Sequence, residues 1–189
     1  MINRCSRSTQ MRPSPRGPEY PLPHDFFFPR RKQTYINMKS KSDADAFGLP
    51  QGTYWLREYY CLDPECCCNI ARIVVVNCAP TAKARAEACI AYGMESLEYY
   101  VAILGVRRAK KVEKGMLEPQ CEFGEGPNAK EFLEFFQCLA EGAGLREKYR
   151  DHYRELIAKL SGFAGERLLA KYERARQQWL AKRTKSKLG

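Results

Sequence analysis

Histidine is scarce in this chain, with two among 189 residues, which weighs against a catalytic or metal centre built mainly on imidazole. The phosphate-cradling Gly-x4-Gly-Lys-Ser/Thr loop, the Gly-x-Ser-x-Gly nucleophile turn and the His-Glu-x-x-His metalloprotease helix are missing as well. Their absence removes the recognisable signatures of those nucleotide-binding and hydrolytic chemistries. No apolar run approaches the about 18 residues that cross a bilayer, so no membrane attachment is expected. The first thirty residues lack the apolar central block of a secretory signal, and Phe26-Phe27-Phe28 is too short to serve as one. The expected compartment is therefore the reducing cytoplasm, where clustered cysteines hold metal or do redox chemistry rather than form structural disulfides.

What the chain has in excess is positive charge, +10 overall, but the excess is not evenly spread. Residues 1–41 contribute +7 and residues 166–189 contribute +6, which leaves −3 for residues 42–165. Basicity at the two ends is read as solvated tails, with nucleic-acid binding through them as the sharper alternative. A protein partner of unknown identity is the other expectation.

Nine cysteines are present, and four of them fall in the segment that organises the rest, Tyr54 to Asn77. Its two halves, Tyr54–Tyr60 and Ile70–Asn77, are rich in aromatic and β-branched residues and predict two strands. Between them lies Cys61-Leu-Asp63-Pro64-Glu65-Cys66-Cys67-Cys68. Thiolates suit zinc, which takes four ligands in a tetrahedron at about 2.3 Å from each sulfur. Alternate side chains of extended backbone point the same way, so Cys66 and Cys68 converge while Cys67 turns aside, and Cys61 closes the set from the first strand. The fourth ligand is open: Cys121 on a later loop is the first choice, with Glu95, His152 and water as alternatives. Cys78 and Cys89 sit too far along their strands to reach the turn, and His24 belongs to the head.

The remaining chain organises around this turn. Residues 1–34 carry six prolines and scattered arginines, and residues 1–41 are expected to form a disordered basic head. Met38 is read as an alternative start, which would place residues 1–37 outside the working protein. Residues 42–126 form the expected β-rich cysteine domain, with a third strand favoured from near Glu87 and a short helix as the alternative, because Ala82-Lys-Ala-Arg-Ala-Glu-Ala has high helix propensity. Ser96 caps a helix bearing Leu97, Tyr100, Val101 and Leu104, closed by Gly105. Val106 to Pro127 reads as a loop containing the basic cluster Arg107, Arg108, Lys110, Lys111 and Lys114, solvated or facing an acidic partner. Residues 127–189 read as helical and packed on that domain, with apolar stripes Phe132/Phe135/Phe136/Leu139, Leu145/Tyr149/Tyr153/Leu156/Leu160 and Leu168/Tyr172/Trp179/Leu180. The fold class is accordingly α+β: an antiparallel hairpin or three-stranded meander bearing a Cys-rich turn, followed by a helical C-terminal region.

Tyr60-Cys61-Leu-Asp63-Pro64-Glu65-Cys66-Cys67-Cys68 resembles the Tyr-Cys-x-x-Pro-x-Cys-x-Cys turn of a family of small uncharacterised bacterial proteins, some of which carry a C-terminal SEC-C zinc motif. Ala91-Tyr92-Gly93-Met94-Glu95-Ser96 is similar to that family's second landmark, and Pro119-Gln120 with His152-Tyr153 resembles its helical tail. The resemblance implies a hairpin with clustered cysteines and a helical end, and no established activity. The chain departs from the pattern at Cys67, where the family tends to have Asp, at Asn69-Ile70 and at Cys121, and it lacks the SEC-C cysteines. The leading expectation is a non-catalytic zinc-binding module. A metal-dependent hydrolase with Asp63, Glu65 or Glu95 as base is the alternative, followed by a thiol redox protein and a nucleic-acid-binding module.

Overall fold

The computed structural model describes residues 22–28, 34–38, 41–61, 66–78, 85–118, 126–142 and 144–187. Its centre is an antiparallel meander of β3 (Gly52–Tyr60), β4 (Ile70–Asn77) and β5 (Arg85–Gly93). The aromatic and β-branched content of these segments favours the pleated, half-buried conformation. β4 spans the predicted residues, and β3 and β5 extend their predictions by two residues or so at the start. The α+β class expected from the sequence is the class observed.

The sheet is wider than a meander. On the outer edge of β3, β1 (Leu22–Pro23) pairs beside Tyr59 and Tyr60, and β2 (Thr34–Met38) pairs from Leu56 to Gly52. On the other side, β6 (Met116–Leu117) pairs with Ala91 and Ile90 of β5. Helix α1 (His24–Phe27) follows β1, and α2 (Lys41–Ala46) follows β2. The stretch expected to be a disordered head thus supplies edge strands, and Phe27 and Met38 are buried. Burial of such side chains is worth about 1.5–3 kcal/mol each, a contribution that composition alone does not register. A chain beginning at Met38 would lack these pairings.

Alternation along the strands divides the core. Tyr54, Leu56, Tyr60, Ile73, Val75, Ile90 and Tyr92 lie on one face and are buried. Helix α5 (Ala129–Gly142) covers it, with Phe132 edge-on to Tyr54 at 4.7 Å and Phe136 edge-on to Tyr92 at 5.3 Å between ring centroids. Tyr59, Val74, Val76 and Cys89 cluster on the opposite face beside Trp55, and the Arg57 guanidinium lies 4.6 Å from the Trp55 ring centroid.

Between sheet and α5 the chain forms two helices. α3 (Leu97–Leu104) begins at Ser96, whose hydroxyl accepts the Tyr99 N–H, and ends at Gly105. α4 (Val106–Lys114) follows at once. A helix stands where a loop is expected from the sequence, in a segment dominated by five cations. Ala109 and Val112 stand three residues apart, a spacing that lets one helical face turn inward, and both are buried with Tyr100.

The chain divides into two compact units, Met1–Tyr149 and Arg150–Gly189. α6 (Leu145–Leu160) runs across the division, and α7 (Phe163–Lys187) lies in the second unit. Leu145, Tyr149, Leu156 and Tyr172 of the predicted stripes are buried. No described helix is long and apolar enough to cross a membrane.

Candidate metal centre

The antiparallel pairing of β3 with β4 brings Tyr60 opposite Ala71, so the residues just beyond them form the closed end of the hairpin. Cys61 leaves β3 there, and Cys66 to Asn69 lead into β4. Asn69 takes a left-handed conformation, φ 42°, which asparagine tolerates better than most residues. That single residue re-aims the chain from the cysteine turn into the strand.

The sulfurs of Cys61, Cys66 and Cys68 all lie within 4.8 Å of one another. All three residues are half-buried, whereas Cys67 is exposed and outside the group. Cys61, Cys66 and Cys68 thus converge while Cys67 turns aside, the arrangement that alternating side chains of extended backbone produce. Thiolates sharing one tetrahedral zinc at about 2.3 Å stand about 3.8 Å apart, inside the observed limit, so the donor set fits the ion in type and spacing. The Cys68 thiol is pushed far up, first by side-chain hydrogen bonding to Cys61 and Cys66, then by burial and by the neighbouring sulfur charges. A bound divalent cation reverses that balance by favouring thiolate.

Two tyrosines from α3 hold the turn. The Tyr99 hydroxyl donates to the Cys67 carbonyl and accepts from the Asn69 side-chain amide at 3.3 Å. The Tyr100 hydroxyl donates to the Asn69 carbonyl and accepts the backbone N–H of Met94 at 2.8 Å and of Glu95 at 3.2 Å. Met94 N–H also donates to the Asn69 carbonyl at 3.2 Å. One fully buried hydroxyl thus ties the cysteine turn to the end of β5. The approach needs Gly93, since a Cβ there would meet the Tyr100 ring at 2.5 Å.

Arg72, two residues into β4, donates from Nε to Glu118 Oε2 at 2.6 Å. Burial alone would lower its pKa, but Glu118 and then the Cys68 and Cys61 sulfurs raise it instead. A cation held near the cysteine turn would support thiolate charge on the cysteines once a metal is bound, as outer-shell partners of metal ligands do.

Among the described residues no other cysteine, histidine, aspartate or glutamate joins the three cysteines. Cys121, Asp63 and Glu65 lie outside the described residues. Glu95 follows Met94 beside the turn, as the antiparallel course of β5 requires, without joining the group. His152 is half-buried on α6. Cys78 sits at the far end of β4, where its thiol donates to the Val76 carbonyl, and Cys89 is buried among Tyr59, Val74 and Val76. Sequence reasoning missed Tyr99, Tyr100, Asn69 and Arg72 as parts of the site. The adjacent tyrosines one turn from a helix start were the available signal, but nothing local to them shows which carbonyls they meet about thirty residues earlier.

No protein-family model, curated protein or solved structure matches the chain.

Proposed function

We propose that this protein is a zinc-binding, non-catalytic module of the cytoplasm in which the cysteine cluster stabilises the hairpin and the helices present an interaction surface. The observation that carries the reading is the convergence of Cys61, Cys66 and Cys68 within 4.8 Å. Cys121 is assigned as the fourth ligand, completing a four-thiolate set of the kind that closes structural zinc sites. The resemblance of the turn to that of the small bacterial Tyr-Cys-x-x-Pro-x-Cys-x-Cys proteins belongs to the same reading.

Metal bound only by the folded chain adds to folding free energy. At free zinc about 100 times Kd the gain is about 2.7 kcal/mol. Cobalt substitution tests the ligand set: three or four thiolates give strong sulfur-to-metal charge-transfer absorption with tetrahedral visible bands. Cys121→Ser is expected to weaken those ultraviolet bands by about a quarter while cobalt stays bound. Octahedral spectra without thiolate bands would refute the assignment.

A further inference from the structure

The cations of α4 remain unused by anything described so far. At about 100° per residue, Arg107, Lys110, Lys111 and Lys114 fall within a sector of about 100°, opposite the inward Ala109 and Val112. The row is about 10 Å long at 1.5 Å per residue, and all four residues are exposed. None has an ion-pair partner among the described residues. The nearby acids are engaged elsewhere: Glu113 faces Arg146 at 3.5 Å, and Glu118 pairs with Arg72. Beside the row, Leu104, Val106 and Met116 with Arg107, Arg108 and Lys111 line an open cavity of about 410 Å³, and Val106 is 56 % exposed.

From this juxtaposition we propose that α4 and the adjoining cavity form a binding site for single-stranded nucleic acid. Its phosphates would follow the lysine and arginine row, and one unstacked base would enter the notch between Val106, Met116 and the Arg108 guanidinium. A linear row of exposed cations, without ion-pair partners among the described residues, matches a polyanion. An apolar notch flanked by guanidinium groups takes the flat face of a base, which duplexes keep stacked. A lipid surface fits less well, because a helix lying in a membrane turns its apolar face outward whereas α4 buries Ala109 and Val112. The proposal does not depend on the metal.

The test is fluorescence anisotropy of the full chain with a fluorescein-labelled oligouridylate of about 12 nucleotides, within the usual ~4–16 nucleotide range of single-strand sites, over a series of salt concentrations. The variant R107Q/K110Q/K111Q/K114Q changes only exposed side chains and keeps both basic termini, so a difference reads α4 alone. Its affinity is expected to fall at least tenfold at 0.1 M salt, with a log–log slope shallower by about 3 for four lost phosphate contacts. Val106→Ser is expected to weaken binding several-fold with the slope unchanged. Equal affinity and slope in the quadruple variant would overturn the proposal. So would duplex RNA binding as tightly as the strand, no effect of Val106→Ser, or a loss confined to phosphatidylserine vesicles.

Discussion

Replacing Tyr100 by phenylalanine removes one oxygen from a ring that otherwise keeps its packing. That oxygen donates to the Asn69 carbonyl and accepts the N–H groups of Met94 and Glu95. Met94 N–H and the Asn69 carbonyl retain each other at 3.2 Å, so the main casualties are the Glu95 N–H and the direct tie from helix to turn. Glu95 is half-buried, so leaving its N–H without this partner costs about 1–2 kcal/mol, and the lost bond to the Asn69 carbonyl about 1, giving roughly 2–3 kcal/mol. For a chain of this size each kcal/mol lowers Tm by about 2–4 °C, so a fall of about 4–12 °C is expected. Because the tie orients the residue after Cys68, zinc affinity should also drop by about 10–100-fold, as for other outer-shell partners. Tyr99→Phe is the internal control: its half-buried hydroxyl is replaceable by water, and the cost should stay below about 1 kcal/mol. Urea titrations of zinc-loaded and zinc-free protein measure stability, and competition with a chromophoric chelator measures affinity. Equal effects of the two substitutions, or no change in zinc affinity for Tyr100→Phe, would refute the clamp.

Three further outcomes follow from the same geometry. Gly93→Ala drives a Cβ to 2.5 Å from the Tyr100 ring and should cost about 1–3 kcal/mol by overpacking, read from the urea midpoint, with weaker zinc binding in the same protein. Arg72→Met removes a 2.6 Å charge-assisted bond whose partners are 17 % and 28 % exposed; about 1–2 kcal/mol of stability should go with it, and zinc affinity should fall. Burial pushes the Tyr100 hydroxyl up to about 12 and Tyr149 well above its ordinary value. The folded chain therefore keeps protons that the unfolded chain releases near pH 10, and unfolding free energy declines as pH rises from 10 towards 12. Tyr149→Phe, whose hydroxyl has no hydrogen-bond partner among the described residues, should flatten that decline in urea midpoints taken at successive pH values, at little cost near neutrality.

How far these features were legible in the sequence depended on how local their causes are. Ile73-Val74-Val75-Val76 announces a buried strand wherever it occurs, and Ser96 with Gly105 brackets α3 by caps that act within one turn. Cys66 and Cys68 were separable from Cys67 because side-chain direction in extended backbone alternates. α4 was hidden because its inward face is only Ala109 and Val112, two small side chains among five cations. β2 was hidden because an edge strand needs just one partner, and β3 supplies it from a distance in sequence. The tyrosine clamp lies beyond local reasoning altogether, since its partners are 31 and 32 residues away and meet only once β5 has paired with β4.

The most direct measurement is native mass spectrometry with elemental analysis on freshly reduced full-length protein, alongside Cys61→Ser, Cys66→Ser, Cys67→Ser and Cys68→Ser. One zinc per chain, retained in Cys67→Ser and lost or severely weakened in the other three, is the expected result. Absence of metal from the reduced wild-type protein, or loss in Cys67→Ser to the same degree as in the others, would contradict the metal centre formed by Cys61, Cys66 and Cys68.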